Sequence, residues 1–397
     1  MKIAYIICTF PPYRGGMGNS AFHFARVSAS LGHEVTIFTP LYAKAAMSTP
    51  DLNDNLSTAV ENLKIVRLRP LISFGNAAVL PQLLWRLKGF DLVHLHYPFY
   101  GSAEVVWLRK LFDRKMKLLT HYHMDNIGRG FKGLIFRLSR IFILSSIIRQ
   151  SRFVTCASLD YIKNSSIADH YELHKTKFKQ VTFGVDPDRF RPDGSKVAGN
   201  DRRLLFVASL DKAHYFKGLP ILLNALKLLK NDDTMRRAAL NLSLSIVGDG
   251  DMKSYYRKLV SSMQLDEAVS FLGGVSDSDL ARIYSQADIF VLPSVNKGEA
   301  FGLVLLEAMA SGLPVVASNL AGVRNVFRNE IDGLLCRPGN ARDLAYKLKT
   351  LLLDDDLRSR MASAGRELVE KKYSWTHIAG ELDGLYCRAA YTPENAS

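Results

Sequence analysis

Two glutamates flank a glycine-containing loop in the segment 298–317, whose sequence is GEAFGLVLLEAMASGLPVVA. Glu299 comes just before a predicted helix, and Glu307 lies about two turns inside it. The unpaired N–H groups at a helix N-terminus attract phosphate, and the helix dipole adds about 0.3–1 kcal/mol for each nearby anion. Carboxylates instead accept hydrogen bonds from hydroxyls. The pattern therefore indicates a ligand with hydroxyls on both sides of a diphosphate, such as a nucleotide sugar, with Glu299 facing one sugar and Glu307 the other.

A second glycine-containing stretch, at residues 15–21, formally matches the dinucleotide-binding pattern G-x-G-x-x-A. In that fingerprint the glycines follow the first strand at once, and an acidic residue ends the second strand. Here residues 10–14 intervene and the second strand ends at Thr39-Pro40, which argues against a nicotinamide or flavin enzyme. Two interpretations stay open. Gly15 and Gly16 let backbone amides approach a ligand, or the loop only permits tight packing of strand against helix.

Four histidines end two predicted strands, namely His94 and His96 on one, and His121 and His123 on the next. Period-two spacing places each pair on one side of its strand, so a zinc site is conceivable, with packing as the alternative. Two D-x-D strings begin at Asp186 and Asp249, in the polar stretch between the two series of strands and in a predicted strand-to-helix turn. We therefore expect no obligatory metal.

Short β-branched runs alternate with longer amphipathic stretches, which is typical of βαβ units and a parallel sheet. The first series of strands is predicted at residues 3–9, 35–39, 63–68, 92–96, 118–121, 153–157 and 178–182, with a helix at 18–31. The second series is predicted at 204–208, 242–247, 270–272, 289–292 and 315–317. The chain is therefore predicted to hold two doubly wound domains in tandem.

A polar stretch rich in Pro, Gly and Asp, at residues 186–200, separates the two series. With 397 residues, two domains of about 200 are also the default on size. We expect an N-terminal domain at 1–190, a linker at 191–202 and a C-terminal domain at 203–372. A helix at 373–397 is predicted, with packing back against the N-terminal domain as a hypothesis. Ligands of such sheets bind beyond the carboxyl ends of the strands, so the expected site is the cleft between the domains.

The net charge of +14 is unevenly distributed. Residues 1–190 hold 25 Lys and Arg against 13 Asp and Glu, or +12, whereas the remainder holds 27 against 25, or +2. This asymmetry indicates an anionic surface or acidic partner for the N-terminal half. The four cysteines are scattered, so neither a disulfide framework nor a zinc ribbon is indicated, and a reducing cytoplasm fits.

A basic and apolar segment spans residues 129–152. Its cations are Arg129, Lys132, Arg137, Arg140, Arg149 and Arg152, and they interleave with Phe131, Leu134, Ile135, Phe136, Leu138, Ile141 and Phe142. This composition suits a helix lying on an anionic membrane, and a buried helix with solvated arginines at its rim is the alternative. The longest membrane-like run, 141–148, is far shorter than the roughly 20 residues of a transmembrane helix. No nucleic-acid module is present, so no nucleic-acid partner is expected.

The assembled features resemble the retaining glycosyltransferases of family 4, also called glycosyl transferases group 1, over essentially the whole chain. The resemblance implies the α/β GT-B fold, in which two Rossmann-like, doubly wound parallel-sheet domains face each other across a cleft. The two glutamates with seven residues between them, followed by Gly312-Leu313-Pro314, are highly specific in this order, whereas the glycine loop is not. Further matching stretches are 183–186, 216–218, 246–250, 271–273 and 287–294.

The resemblance implies a hexosyltransferase that moves a sugar from a UDP- or GDP-linked donor to a hydroxyl of a glycan or lipid-linked acceptor, with retention of configuration. Such a reaction serves cell-surface polysaccharide, lipopolysaccharide or glycolipid synthesis. Together with the scattered cysteines and the basic segment, it predicts a cytoplasmic protein that is peripheral to the inner face of the membrane. By the family pattern, His123 contacts the transferred sugar, Glu299 approaches its hydroxyls and Lys217 neutralises the leaving group. The implied donor-binding residues are Gly15, Gly16, Lys212, Gly248, Phe301, Gly302, Leu303 and, on the ribose, Glu307.

One departure from the family pattern concerns the leaving group, because Ser209 occupies the position of the usual arginine. Either fewer cations hold the diphosphate, or a residue of a longer loop, Lys212 or His214, takes the place of the arginine. The alternative for Lys212 is a solvated loop lysine with no contact to the donor. Retention requires a carboxylate nucleophile or attack on the face that the leaving group departs from. Asp125 lies near His123 in sequence, but we predict same-face transfer. A non-catalytic nucleotide-sugar-binding protein and a nicotinamide oxidoreductase are the competing hypotheses.

Overall fold

The described part of the chain forms two compact units. The computed structural model describes residues 1–11, 15–41, 60–126, 130–194 and 199–391, except for the side chains at 131, 132 and 135. Residues Met1–Phe183 and the C-terminal helix Trp375–Tyr391 form the first unit, and residues Gly184–Ser374 form the second. Of the predicted basic segment, Arg129 and the side chains of Phe131, Lys132 and Ile135 lie outside the described residues.

A seven-stranded, all-parallel sheet forms the centre of the first unit. Its strands are β1 (Lys2–Ile6), β2 (Glu34–Pro40), β3 (Leu63–Leu68), β6 (Leu92–Tyr97), β7 (Leu118–Tyr122), β8 (Phe153–Cys156) and β9 (Phe178–Gln180). The strand order is β3-β2-β1-β6-β7-β8-β9, so the winding reverses between β1 and β6, as in doubly wound sheets. Strands β6 and β7 are buried at every position, which explains why they carry few charged side chains.

Helices cover the sheet of the first unit. They are α1 (Gly16–Ser30), α2 (Leu83–Arg86), α3 (Ser102–Phe112), α4 (Gly130–Ser139), α5 (Ser145–Gln150), α6 (Leu159–Lys163) and α7 (Ala168–Leu173). A π-helical turn, Arg140–Leu144, joins α4 to α5, and a 3-10 turn, Lys175–Lys177, precedes β9. A small antiparallel hairpin consists of β4 (Ile72–Phe74) and β5 (Ala77–Val79).

The second unit contains a six-stranded, all-parallel sheet of order β12-β11-β10-β13-β14-β15. Its strands are β10 (Asp201–Val207), β11 (Asn241–Val247), β12 (Val269–Gly273), β13 (Ile289–Leu292), β14 (Val315–Ser318) and β15 (Gly333–Cys336). Its helices are α8 (Leu219–Lys230), α9 (Asp233–Arg237), α10 (Lys253–Ser262), α11 (Asp277–Gln286), α12 (Leu303–Ala310), α13 (Ala341–Leu353) and α14 (Asp355–Lys372). Two 3-10 helices, Lys212–Lys217 and Val323–Asn325, complete it.

The predicted α/β class with two parallel sheets is confirmed, and each predicted strand overlaps an observed one. Strand β15 and the β4–β5 hairpin were not predicted, because each is short and begins or turns at glycine. The compact units divide at Phe183 and Gly184, earlier than the predicted domain end at residue 190, and β10 begins inside the predicted linker 191–202.

Helix α15 (Trp375–Tyr391) packs on the first unit through aromatic and polar contacts. The Trp375 ring meets Phe24 edge-on, with ring centroids 5.7 Å apart. The Tyr386 hydroxyl bonds the Tyr5 hydroxyl and lies 2.8 Å from His94 Nδ1. Since Tyr5, Tyr386 and His94 are all fully buried, the helix satisfies polar groups inside the first unit.

We expect Tyr386→Phe to destabilise the first unit by about 1–3 kcal/mol, because the change removes the hydroxyl that partners the buried His94 imidazole and Tyr5. Chemical denaturation followed by circular dichroism measures the shift. Tyr391→Phe, on the same helix and 73% exposed, is the matched control. Equal midpoints for the two variants would contradict the structural role of this bond.

Candidate functional site

Lys217 and Glu299 form a largely buried ion pair in the second unit. Lys217 Nζ donates to Glu299 Oε2 at 2.7 Å, and Ser294 Oγ donates to the same oxygen at 3.0 Å. The two side chains are 17% and 7% exposed, so water screens the pair weakly. Glu299 Oε2 thus accepts both hydrogen bonds. The pair therefore joins a cation that could face phosphate to a carboxylate that could face sugar hydroxyls.

The backbone around Lys217 explains how the two side chains meet. Lys217 ends the 3-10 helix Lys212–Lys217, whose first turn is capped by the Asp211 carboxylate. The Val295 N–H donates to Phe216 O at 2.8 Å, which ties this segment to the loop after β13. Gly218 has a φ of 76°, and an added Cβ would lie 2.0 Å from Pro293 O. Only glycine permits this approach, so Gly218 helps to set the position of Lys217.

The N-terminus of helix α12 follows Glu299 closely in sequence. Gly302 is its N-cap residue, Phe301 and Gly302 are buried, and Leu303 is half-buried. The first N–H groups of a helix have no acceptor within the helix, and the first turn of α12 holds no acidic side chain. The segment that carries Glu299 therefore also carries an electropositive helix end. The structure places Glu299, Phe301 and Gly302 on the connection between β13 and α12, and Leu303 is the first residue of α12.

Glu307 has a different environment from Glu299. It lies inside α12, and its carboxylate accepts a hydrogen bond from the Tyr284 hydroxyl at 2.8 Å. Burial raises the pKa of Glu307 to about 7, although the Tyr284 bond and the charge of Arg189 act in the opposite direction. Glu307 thus changes charge near neutral pH. Tyr284 was not predicted to take part, and nothing in its local sequence indicated that it would.

The predicted substitutes for the missing arginine lie in the same 3-10 segment. Ser209 is exposed, and so is Lys212, whose backbone N–H donates to Asp251 Oδ1 at 3.0 Å. The His214 ring lies 2.7 Å from an oxygen of Asp211. Gly248 donates its N–H to Gly273 O at 2.8 Å, which joins the ends of β11 and β12. The structure therefore pairs Lys217, and not Lys212, with Glu299.

The glycine loop of the first unit has a packing role. Gly15 is an extended N-cap residue, and α1 begins at Gly16. An added Cβ on Gly18 would lie 2.8 Å from Thr9 O, so this glycine permits the close approach of helix and strand. This contact favours tight strand-to-helix packing for Gly18, and it leaves the predicted ligand contact of Gly15 and Gly16 untested.

His94, His96, His121 and His123 form one buried cluster at the ends of β6 and β7, with ring centroids 4.4–6.2 Å apart. His96 Nδ1 lies 2.9 Å from His123 Nε2, and His121 Nδ1 lies 2.9 Å from Thr155 Oγ1. The His123 ring also stacks on Phe183 at 5.8 Å. The predicted same-side spacing of each pair is thus observed.

Burial disfavours positive charge in the histidine cluster. Burial lowers the pKa of all four imidazoles, and it lowers the pKa of His121 to about 3. Within the described ranges, no group of three or more His, Cys, Asp or Glu side chains is arranged to hold a metal ion. Hydrogen bonds and ring stacking are the contacts observed in the cluster.

Asp125, two residues after His123, is saturated with local hydrogen bonds. Its Oδ1 accepts from the Tyr122 hydroxyl at 2.6 Å and from Ser166 Oγ at 2.8 Å, and its Oδ2 accepts from the Ser166 N–H at 2.9 Å. The side chain is buried. These bonds give Asp125 a structural task, namely joining the end of β7 to the segment before α7, and they argue against a nucleophilic one.

The basic segment of the first unit is helical and exposes apolar side chains. Leu134, Leu138, Ile141 and Phe142 are 46–64% exposed and recur at helical spacing across α4 and the π turn. Arg137 and Arg149 are exposed as well. Residues Leu144, Ile147 and Ile148, further along the same segment, are buried, so the segment has both a buried part and exposed apolar side chains. None of the described helices is both long and apolar enough to span a membrane.

Comparison with known families gives two adjacent matches. The model described as Glycosyltransferase Family 4 matches residues 14–189, and the model described as Glycosyl transferases group 1 matches residues 189–368. Together they span both compact units almost completely.

Known proteins of similar length also match. The D-inositol 3-phosphate glycosyltransferase of Corynebacterium aurimucosum is 27% identical and covers 94% of this chain and 91% of the relative. The GDP-mannose-dependent alpha-(1-6)-phosphatidylinositol monomannoside mannosyltransferase of Mycobacterium tuberculosis is 25% identical, with 96% and 97% covered. Among solved structures, Anabaena HepE in complex with UDP has a TM-score of 0.72 at 17% identity, with 97% and 99% covered.

We expect Glu307→Gln to change the pH dependence of stability. Between about pH 4.5 and 7 the unfolded chain ionises Glu307 while the folded chain keeps it protonated, so the wild-type free energy of unfolding falls as the pH rises through this window. The glutamine variant lacks this term and should gain about 1–3 kcal/mol relative to wild type between pH 5 and pH 8. Thermal unfolding at both pH values tests this, with the exposed Glu267→Gln as control. A constant difference between Glu307→Gln and wild type would refute the raised pKa.

Proposed function

The chain belongs to glycosyltransferase family 4 and is a hexosyltransferase with the GT-B fold, and from this premise we propose that it transfers a hexose, with retention, from a UDP- or GDP-linked donor to a hydroxyl of a glycan or lipid-linked acceptor. The observation that carries the proposal is the buried contact of Lys217 with Glu299 in the segment leading to α12. We place the reaction in cell-surface polysaccharide or glycolipid synthesis, at the cytoplasmic face of the membrane.

The second unit is proposed to bind the donor. Lys217 exchanges its bond with Glu299 for one with the diphosphate, and the N–H groups of Phe301, Gly302 and Leu303 face the same phosphates. Glu299 then accepts from hydroxyls of the transferred sugar, and Glu307 accepts from the ribose. A charge-assisted hydrogen bond of this kind contributes about 1.5–3 kcal/mol. Because the leaving group gains charge as its bond breaks, Lys217 stabilises the transition state more than the bound donor.

The proposed transfer is a same-face substitution. The bond between the anomeric carbon and the phosphate oxygen breaks, the acceptor oxygen bonds that carbon on the same face, and the acceptor proton passes to the departing phosphate. This route uses no carboxylate nucleophile, in keeping with the hydrogen-bonded state of Asp125. His123 contacts the transferred sugar from its place after β7. No metal is required in this scheme.

The acceptor is proposed to be anionic or membrane-linked. The names of two relatives specify an inositol 3-phosphate and a phosphatidylinositol mannoside. Residues 1–190 of this chain carry an excess of +12, which would attract such acceptors or an anionic surface. The exposed apolar and basic side chains of residues 130–150 supply a surface on which the protein could rest against lipid.

Donor binding is tested by screening UDP-, GDP- and ADP-sugars for thermal stabilisation and for transfer or hydrolysis, with and without EDTA. We expect one nucleotide class to raise the unfolding temperature. Lys217→Ala and Glu299→Gln should each lower kcat/KM by about 10²–10³, as loss of a group that stabilises the transition state does. Lys227→Ala, an exposed lysine on α8, is the control.

The Lys212→Ala variant tests, in the same assay, whether Lys212 takes the place of the missing arginine. If Lys212 substitutes for it, its loss lowers kcat further than the loss of Lys227. If no nucleotide sugar stabilises or reacts with the protein, or if Lys217→Ala behaves like Lys227→Ala, the proposed donor chemistry is wrong.

Membrane contact is tested with sedimented vesicles of phosphatidylcholine with and without phosphatidylglycerol. We expect binding to the anionic vesicles, and we expect Ile141→Glu with Phe142→Glu to reduce it at least about tenfold, because the changes remove apolar area and add repulsion. Leu173→Glu, on α7 and 74% exposed, is the matched control. Wild-type protein that stays in the supernatant with both vesicle types would contradict membrane contact.

A further inference from the structure

A chain of buried hydroxyls determines which ring nitrogen of His94 carries its proton. Ser28 Oγ donates to the Phe24 carbonyl oxygen at 2.8 Å, so it must accept from the Tyr5 hydroxyl, 3.1 Å away. Tyr5 then has no proton left for Tyr386, so the Tyr386 hydroxyl donates to the Tyr5 oxygen. His94 Nδ1, 2.8 Å from the Tyr386 oxygen, is therefore the donor. Neutral His94 thus has its proton on Nδ1 and a lone pair on Nε2.

The tautomers of His96 and His121 are assigned from the ring nitrogens that lack a hydrogen-bond partner. His94 Nε2, His96 Nε2 and His121 Nε2 are buried and have no hydrogen-bond partner among the described groups. A buried N–H without an acceptor is rarer in proteins than an under-used acceptor. In His94 the nitrogen without a partner is indeed the one with the lone pair. The same assignment puts the proton of His121 and of His96 on Nδ1, where each has a partner.

We propose that His96 is a positioning residue for His123: its Nδ1–H donates to His123 Nε2 and holds the His123 ring in the tautomer that has its proton on Nδ1. The bond is 2.9 Å long and joins two buried rings at the ends of neighbouring strands. The backbone supports it, since the His123 N–H donates to Tyr97 O at 2.9 Å. The partner of one ring nitrogen decides which form the other nitrogen takes.

The tautomer has a consequence for substrate recognition, which rests on the proposed contact of His123 with the transferred sugar. A His123 ring that accepts at Nε2 has its only N–H at Nδ1. It therefore donates to an oxygen of the sugar and does not accept from a hydroxyl there. Burial lowers the pKa of His96 and His123, which favours the neutral form of both rings. In the neutral pair only one of the two bonded nitrogens carries a proton, so the hydrogen bond has one direction.

Ring-nitrogen NMR tests the assignment directly. The protein holds ten histidines, and the His123 signals are assigned by their absence from a His123→Gln variant. In protein labelled with ¹⁵N-histidine, two-bond ¹H–¹⁵N spectra distinguish the two neutral tautomers. We expect His123 with its proton on Nδ1 in the wild type. A His123 signal with the proton on Nε2 would overturn the proposal.

Two substitutions of His96 separate positioning from packing. The amide nitrogen of asparagine lies close to the place of Nδ1, whereas that of glutamine lies closer to Nε2. We expect His96→Asn to keep kcat within a few-fold of wild type and to keep the His123 tautomer. His96→Gln should lower kcat about tenfold or more and lose the tautomer, because a hydrogen bond of this size is worth about that factor.

His94→Gln is the matched control, since His94 is equally buried on the same strand but bonds Tyr386 and not His123. It should lower the unfolding temperature while the His123 tautomer persists. Equal kcat and an unchanged tautomer in His96→Asn and His96→Gln would refute the role of His96. If His123→Ala itself left transfer intact, the proposed sugar contact would fail, and the NMR result would still decide the tautomer.

Discussion

The ladder between β10 and β13 determines where Lys217 and Glu299 of the second unit lie. These strands pair in parallel through Leu204 with Ile289 and Leu205 with Phe290, so their carboxyl ends reach the same edge of the sheet. The chain leaving β10 forms the 3-10 segment that ends at Lys217, and the chain leaving β13 forms the connection that carries Glu299. Since β13 is fully buried, a register slip of one residue would invert its buried faces. Lys217 and Glu299, distant in sequence, are neighbours because this ladder brings the ends of β10 and β13 together.

The Lys217–Glu299 pair of the second unit and the histidine cluster of the first unit differ in charge. In the second unit, a cation and a carboxylate are buried together and neutralise each other by direct contact. In the first unit, burial removes charge from four imidazoles, which then bond one another, a threonine and a tyrosine. In the proposed function an incoming diphosphate competes with Glu299 for the buried cation, whereas the neutral rings offer fixed donors and acceptors. The first arrangement suits an exchange of partners, and the second suits the orientation of a ligand.

The sequence predicted the fold well because fully buried parallel strands are apolar throughout. Strand β13 reads IFVL and strand β14 reads VVAS, both without charge, and this composition is visible without a structure. Strand β15 was not predicted because it begins with Gly333 and only four of its residues pair with β14. The candidate residues were identified through their order in the chain and through a family resemblance. The hydrogen-bond partners of these residues could not be identified in this way. Tyr284 bonds Glu307 and His96 bonds His123 through tertiary packing between elements that no local sequence pattern connects.

The first unit is discontinuous, and this has a consequence for its synthesis. The chain leaves it at Phe183 and returns at Trp375, so the ribosome makes the entire second unit before helix α15 exists. At about 5–20 residues per second, this interval lasts roughly 10–40 seconds. During that time the Tyr5 hydroxyl and the His94 imidazole have no Tyr386 to bond, and the surface around Phe24 has no Trp375 to cover it. The N-terminal portion of the chain therefore emerges first but completes its core last.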